Sequence, residues 1–168
     1  GGFIQYRSII NLKKSDYANL LISQRNWASK NPYAVYKKEL TEEEYNNAPL
    51  VADPLCRYDC VPVVAGAYAI IISRNENERL ERQVRIRAFE QSFNFENQEG
   101  DGTATGISTF KDKLFGTAKL VPVDIGVLSI YDDYPAIVLA QLNDLGIIKN
   151  EKFRDYLEGM QQQTQAVN

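Results

Sequence analysis

Histidine is absent from the 168 residues, and cysteine, methionine and tryptophan are scarce, with two, one and one copies. The absence of histidine removes the commonest general base and the commonest metal ligand. It also excludes, within these residues, a nucleophile activated in a Ser-His or Cys-His pair. Two cysteines, Cys56 and Cys60, are too few for a disulfide framework, so we expect a reducing, cytoplasmic location.

Long apolar runs and basic runs are missing too. No stretch approaches the roughly 18 apolar residues of a membrane helix, and the first ten residues, GGFIQYRSII, lack a signal-peptide pattern. The net charge is −3, with 44% hydrophobic and 24% charged residues. This composition is typical of a soluble globular domain and argues against nucleic-acid binding through a basic patch.

Helical signals recur along the chain. Ser15 is a candidate cap for a helix at 16–29, whose predicted apolar face includes Tyr17, Leu20, Leu21 and Trp27. A T-x-x-E capping box at Thr41 predicts a second, short helix. The predicted ranges after 16–29 are 42–48, 107–120, Pro135 to Gly146, and Asn150 to about Leu157, with a short helix or turn at 75–80.

Three stretches predict strands. Residues 61–73 are almost continuously apolar, as in a strand covered on both faces, and Gly66 is expected to allow close packing. Residues 82–89 alternate apolar and charged side chains, and 124–131 read as a buried strand. A Gly-rich loop, 93–106, lies between the second and third of these stretches, and the spacing of its glycines does not fit a nucleotide-binding motif. Helices and strands in this order predict a layered α/β fold.

Three stretches in a fixed order carry a family resemblance. They are NPYA (31–34) with DPLCRYDCVPVVAGAYAIIIS (53–73), then LFGTAKLVPVDIGVLSIYDDY (114–134), then LNDLGI (142–147) followed by EGM and the final AVN. Together they resemble the thiolase superfamily, and within it the sterol-carrier or lipid-transfer branch. Ala65 departs from the family pattern, which has an aspartate there.

The resemblance implies an α/β fold, a layered thiolase-like sandwich of two similar halves, of which this sequence covers the middle. Residues 1–52 would then belong to the mostly helical loop domain. Residues 53–168 would hold the end of the first half and the start of the second. The family's nucleophilic cysteine would precede this region and its catalytic histidine, in a G-H-P-x-G segment, would follow it. We therefore expect a chain that is incomplete for catalysis, either a fragment or a short relative.

The stretch SIYDDYPAIVL (129–139) contains the main candidate site. Asp132 and Asp133 can be favourable charges at the start of a helix, with Tyr131 a strand-end aromatic. The resemblance instead implies catalytic Tyr131 and Asp132, because relatives place a polar group there that acts at the thioester oxygen. Tyrosine at this position is similar to a subset linked to retro-aldol cleavage of steroid thioesters, in which a phenol donates a proton, or removes one if its pKa is lowered.

Other candidates are weaker. The resemblance places Tyr33, Tyr36 and Lys37 beside the coenzyme A channel as substrate-binding residues. Arg85 and Arg87 can meet phosphates, but their pattern is more typical of a solvated strand face. Neither cysteine corresponds to the family nucleophile; the C-x-x-x-C spacing without a second pair argues against zinc, and no metal site is predicted.

The resemblance implies a thiolase-like acyltransferase that makes or breaks carbon–carbon bonds on acyl-CoA, with coenzyme A as a substrate moiety and no separate cofactor. Two alternatives stay open: a retro-aldolase that uses Tyr131, and a non-catalytic binding or scaffold subunit. Relatives of this kind are usually homodimers, and some associate with small OB-fold, zinc-ribbon proteins. Neither a nucleic-acid partner nor a membrane span is expected.

Overall fold

The helical core is built from one helix near the start of the chain and two consecutive helices near its end. The computed structural model describes residues 12–74, 84–149 and 152–166. Helix α1 (Lys14–Ser29) packs chiefly against α5 (Phe153–Ala166), and α4 (Pro135–Asp144) lies against α1. The buried side chains of this core include Tyr17, Leu20, Leu139, Phe153 and Leu157. Helix α2 (Glu42–Asn46) and α3 (Ile107–Ala118) flank it, against α1 and α4 respectively.

A short hairpin follows α2. Strands β1 (Leu50–Ala52) and β2 (Leu55–Cys56) pair antiparallel, and a turn of 3₁₀ helix at Arg57–Asp59 comes directly after them. Two more 3₁₀ turns lie at Phe95–Gln98 and Pro122–Asp124. The described part of the chain is therefore a mixed helical and sheet structure in which helices dominate.

The helix predictions are confirmed in position, with shifted ends. Asp16, rather than Ser15, satisfies the start of α1, because its carboxylate accepts the Lys13 backbone N–H at 2.6 Å. The capping box of α2 is present as predicted: Thr41 Oγ1 accepts the Glu44 N–H and Glu44 Oε2 accepts the Thr41 N–H, each at 3.1 Å. Helix α5 continues to Ala166, beyond the predicted end at Leu157.

Helix α4 begins and ends as its sequence predicts. Pro135 occupies the first turn, where no backbone N–H is needed. Its end is a Schellman motif: the Ile147 N–H reaches the Leu142 carbonyl at 3.0 Å and the Gly146 N–H the Asn143 carbonyl at 2.9 Å. Gly146 has a φ of +74°, which favours glycine.

None of the three predicted strands is formed within the described residues. Residues 61–73 and 124–131, and the described part of 82–89, form no sheet ladder, and their apolar side chains are exposed, among them Val63, Ile71, Val84 and Val127. A Cβ at Gly66 would meet nothing within 4 Å, so the predicted close packing there is absent as well. A strand of this kind needs neighbours on both edges and cover on both faces, and the described residues supply neither.

Three smaller predictions have different outcomes. Trp27 is 74% exposed, contrary to the predicted helix face, because the buried residues of α1 all precede Gln24 and its last turns extend past the core. The predicted helix or turn at 75–80 lies outside the described residues. Arg85 and Arg87 are exposed, as a solvated face requires.

A buried carboxylate joins α2 to the hairpin. Asp59 accepts the Tyr45 hydroxyl at 2.8 Å and the Cys56 backbone N–H at 2.7 Å, and all three residues are buried. Burial, together with the charge and hydrogen bond of Asp59, raises the pKa of Tyr45, so its hydroxyl stays protonated and remains a donor.

Replacing Tyr45 by phenylalanine removes this donor and leaves part of a buried carboxylate unsatisfied. We expect Tyr45→Phe to lower the free energy of unfolding by about 1.5–3 kcal/mol, the usual scale for a hydrogen bond to a charged group. Urea denaturation followed by circular dichroism measures it. Tyr68→Phe is the matched control, because Tyr68 is 99% exposed, and it should change the value by less than about 0.5 kcal/mol. Equal effects of the two variants would contradict this account.

Candidate functional site

The predicted site motif lies where the chain enters α4. Tyr134 directly precedes the helix with extended backbone, and Pro135 is buried. Gln141, two turns into the helix, reaches back to Tyr131: its Nε2 donates to the Tyr131 carbonyl at 2.6 Å, and its Oε1 accepts the Tyr131 N–H at 3.4 Å. The backbone of Tyr131 is therefore attached to the buried helix although the Tyr131 side chain is 61% exposed.

The Tyr131 phenol faces a neighbouring carboxylate. Partial desolvation, then the charge and hydrogen bond of Asp133, raise the pKa of Tyr131 above its ordinary value. A phenol in this state is protonated at neutral pH, so it can donate a hydrogen bond but cannot readily accept a proton. This direction is opposite to the lowered pKa that a base would need, and the acidic neighbour that sets it is chiefly Asp133 rather than Asp132.

Asp132 lines a cavity of about 240 Å³ formed by residues from four parts of the chain. Helix α1, the loop after it, the segment that follows β2 and the start of α4 each contribute walls. Tyr36 lines the same cavity, so the structure brings together two of the predicted site residues from distant parts of the sequence, whereas Tyr131 is not among the residues that line it. The polar, aromatic and thiol side chains that line the cavity include Arg25, Tyr36, Tyr58, Cys60 and Asp132.

Arg25 is the cavity residue that the sequence reasoning missed. Its guanidinium carbon lies 3.7 Å from the centroid of the Tyr36 ring and 5.5 Å from that of Tyr58, which are cation–π distances. The stack holds a permanent positive charge in the cavity wall. The sequence does contain a signal, since Arg25 falls at helical spacing between Leu21 and Ala28 and so interrupts an apolar face of α1.

Tyr33 and Lys37 are not among the residues that line this cavity. Tyr33 is 93% exposed, and its backbone N–H is bound by the Asn31 side chain at 3.0 Å in a local turn. Lys37 is also exposed. Successive residues of a loop point in different directions, so only Tyr36 of this predicted group lines the cavity.

The two cysteines are not activated. Burial raises the pKa of the Cys56 thiol, and burial, then the charges of Asp59 and Asp133, raise that of Cys60. Cys60 lines the cavity but has less thiolate at neutral pH than an ordinary cysteine. This agrees with the sequence interpretation that neither thiol is the nucleophile.

A larger opening of about 660 Å³ lies elsewhere, between residues 121–128 and helices α4 and α5. Its walls are mainly apolar, and none of the predicted site residues lies among them. We therefore place the candidate site at the smaller cavity.

Among the helices of the described ranges, none combines the length and the apolar character that crossing a membrane requires.

Comparison with known proteins gives relatives of one kind, although no family model matches the chain. The chain is 26% identical to a 17-hydroxy-3-oxo-4-pregnene-20-carboxyl-CoA lyase of Mycobacterium tuberculosis, over 91% of this chain and 42% of the relative. It is 30% identical to an acetyl-CoA acetyltransferase of Methanothermobacter thermautotrophicus, over 79% and 36%. It is 24% identical to a steroid side-chain-cleaving aldolase of Thermomonospora curvata, over 84% and 39%.

These relatives confirm the resemblance to the thiolase superfamily, since they are a thiolase-family acetyltransferase and thiolase-like enzymes named as a carboxyl-CoA lyase and a steroid side-chain-cleaving aldolase. The chain spans about two fifths of the length of the curated relatives it matches. The assignment to the sterol-carrier branch stays a prediction.

The nearness of the Asp133 carboxylate to Cys60 can be tested by the reactivity of the Cys60 thiol. Removing one of them should lower the pKa of Cys60 and raise its thiolate fraction at neutral pH. We expect Asp133→Asn to speed the alkylation of Cys60 by iodoacetamide about two- to threefold. Peptide mass spectrometry follows the modification at Cys60. Asp132→Asn is the matched control and should leave the rate unchanged, because Asp132 is not among the charges that act on Cys60. A faster reaction in the control alone would refute this arrangement.

Proposed function

We propose that this relative of the thiolase superfamily forms the part of an acyl-CoA-dependent enzyme that holds the substrate beside Tyr131, and that the enzyme makes or breaks carbon–carbon bonds on coenzyme A thioesters. One observation carries the proposal: a single cavity is lined by Tyr36 from the loop after α1 and by Asp132 from the motif before α4. Thiolase and lyase relatives support the same class of chemistry.

Tyr131 is assigned the role of hydrogen-bond donor to the thioester oxygen. In the thiolytic cleavage of a 3-oxoacyl-CoA and in the retro-aldol reaction alike, a carbon–carbon bond breaks and its electron pair collects as an enolate on that oxygen. A donor fixed beforehand at this position stabilises the developing charge. The raised pKa of Tyr131 keeps this hydroxyl protonated at neutral pH, and it counts against removal of a substrate proton by this phenol.

Retro-aldol cleavage is the second candidate. It is supported by the two relatives whose names state a lyase and an aldolase activity on steroid substrates. It is also compatible with the absence of histidine from these residues. Transfer of an acyl group through a cysteine would need a nucleophile other than Cys56 and Cys60, whose pKa values are both raised.

The wider architecture is part of the proposal. We propose that the exposed apolar segments 61–73, 84–89 and 124–131 pair with further strands, as in the layered sandwich that the resemblance implies. Their exposed side chains support this, because isolated apolar segments of this length are unfavourable in water. The division at residues 52 and 53, a homodimer, a small OB-fold, zinc-ribbon partner and a cytoplasmic location stay predictions.

The role of Arg25 in binding is testable without turnover. We expect Arg25→Gln to weaken the binding of acetyl-CoA about tenfold, because the guanidinium is the positive group that the structure places in the cavity wall. Isothermal titration calorimetry measures the affinity. Arg57→Gln is the control, since Arg57 is exposed and does not line the cavity. Unchanged affinity in Arg25→Gln would remove the cavity from the proposal.

The role of Tyr131 is testable by kinetics. In a complete, folded protein that contains these residues, we expect Tyr131→Phe to lower kcat at least about tenfold, the scale of a lost transition-state donor. Thiolysis of acetoacetyl-CoA and release of the side chain from a 17-hydroxy steroid carboxyl-CoA thioester separate the two candidate reactions. Tyr68→Phe should retain full turnover. Binding of thioester without turnover of either substrate would contradict the enzymatic proposal and favour a scaffold.

The same phenol makes a prediction about pH. Because the pKa of Tyr131 lies above its ordinary value of about 10, the donor stays protonated from neutral pH upward to that value. We therefore expect no loss of kcat from ionisation of Tyr131 between about pH 7 and 9, measured as a pH–rate profile compared with Tyr131→Phe. A fall in that range that is present in the unsubstituted protein and missing in Tyr131→Phe would contradict the assignment.

A further inference from the structure

Gln141 is an amide in an apolar helix. Helix α4 buries nearly all of its side chains, including Ala136, Val138, Leu139 and Leu142, and Gln141 is itself only 8% exposed. A buried amide without hydrogen-bond partners costs free energy, whereas leucine at the same place would cost none. The polar groups that Gln141 binds therefore indicate why an amide is useful at this position.

All three hydrogen bonds of the Gln141 side chain go to backbone groups. Two involve Tyr131, one to its carbonyl and one from its N–H, and they join both polar groups of one residue to one amide. The third runs from Nε2 to the Ile137 carbonyl at 2.9 Å, four residues earlier on the helix, and it fixes the direction of the amide. The side chain thus does for Tyr131 what a neighbouring strand does in a sheet.

The segment that precedes Tyr131 shows how its backbone would lie without this contact. Val127, four residues earlier, is exposed, and no backbone hydrogen bond joins it to the residues that the structure describes. Within the same ranges, Gln141 supplies the hydrogen bonds that hold the Tyr131 backbone, while the phenol itself faces solvent and Asp133. The orientation of an exposed side chain follows from its backbone, so a fixed backbone is needed for a fixed phenol.

We propose that Gln141 is a positioning residue that holds the backbone of Tyr131 in place and so keeps its hydroxyl beside Asp133. Gln141 touches no reacting atom in this assignment and acts only through Tyr131. Its catalytic meaning rests on the proposed function of Tyr131, but the hold on the backbone does not.

The first experiment needs no activity. The protein is labelled with 3-fluorotyrosine, the ¹⁹F resonance of Tyr131 is identified by its loss in Tyr131→Phe, and the phenol is titrated with pH. Gln141→Met keeps the length and helix preference of the side chain but removes the amide. We expect the pKa of Tyr131 to fall toward that of free fluorotyrosine in this variant, because the phenol leaves Asp133. Asn143→Ala, on the same helix, should leave the titration unchanged.

An unchanged Tyr131 titration in folded Gln141→Met would overturn the inference. If this variant fails to fold, hydrogen exchange on the unsubstituted protein decides the question. We expect the Tyr131 amide to exchange at least about tenfold more slowly than the Val127 amide, because only the former is bonded to Gln141. Equal exchange rates for the two amides would overturn the inference in the same way.

A double-mutant cycle then separates positioning from stability. We expect Gln141→Met to lower kcat with KM changed less than about twofold, and Gln141→Met with Tyr131→Phe to be no slower than Tyr131→Phe alone. Additive losses would mean that Gln141 acts independently of Tyr131 and would refute the assignment. If Tyr131→Phe has full activity, the proposed function of Tyr131 fails, while the fluorine titration still decides whether Gln141 holds it.

Discussion

The burial of α4 against α1 is the contact on which the rest of the described structure depends. Helix α4 is apolar on almost every side, and it can be stable in water only if other helices cover it. Asp132, at the start of α4, and Arg25, on α1, line the same cavity, which also includes the loop after α1 and the segment that follows β2. The far end of α4 organises a second region, because Asp144 accepts the Thr105 N–H at 2.5 Å and so anchors the loop before α3.

The sequence predicted the helices well and the strands poorly, for one physical reason. Helix signals are local: the capping box at Thr41, Pro135 at a first turn and Gly146 at a last turn each act within a few residues. An apolar strand is stabilised by chain segments that are remote in sequence, so the pattern at 61–73 indicates a tendency that the described residues leave unpaired. Trp27 shows the related limit, since a helical face predicts what can be buried but not where the covering helix stops.

The candidate site was predictable in type but only partly in geometry. The family resemblance indicated the motif at Tyr131 and the loop containing Tyr36, and the structure places Asp132 and Tyr36 at one cavity. The resemblance gave no direction for individual loop side chains; Tyr33 and Lys37 do not line that cavity, and their part in substrate binding stays a prediction. Arg25 and Gln141 were missed because each lies in a helix whose apolar pattern is the stronger signal. In both cases the informative residue was the polar one that interrupts that pattern.

The buried carboxylate of Asp59 has a mechanical consequence for the cavity. Its two neighbours in the chain, Tyr58 and Cys60, form part of the cavity wall, while the carboxylate itself is attached to Tyr45 and to the backbone of Cys56. This part of the cavity wall is therefore held in place by a buried carboxylate that is bonded to α2 and to β2. Substitutions around Tyr45 can therefore shift the position of Tyr58 in the cavity wall, and so change the affinity for a bound molecule, although Tyr45 itself does not line the cavity.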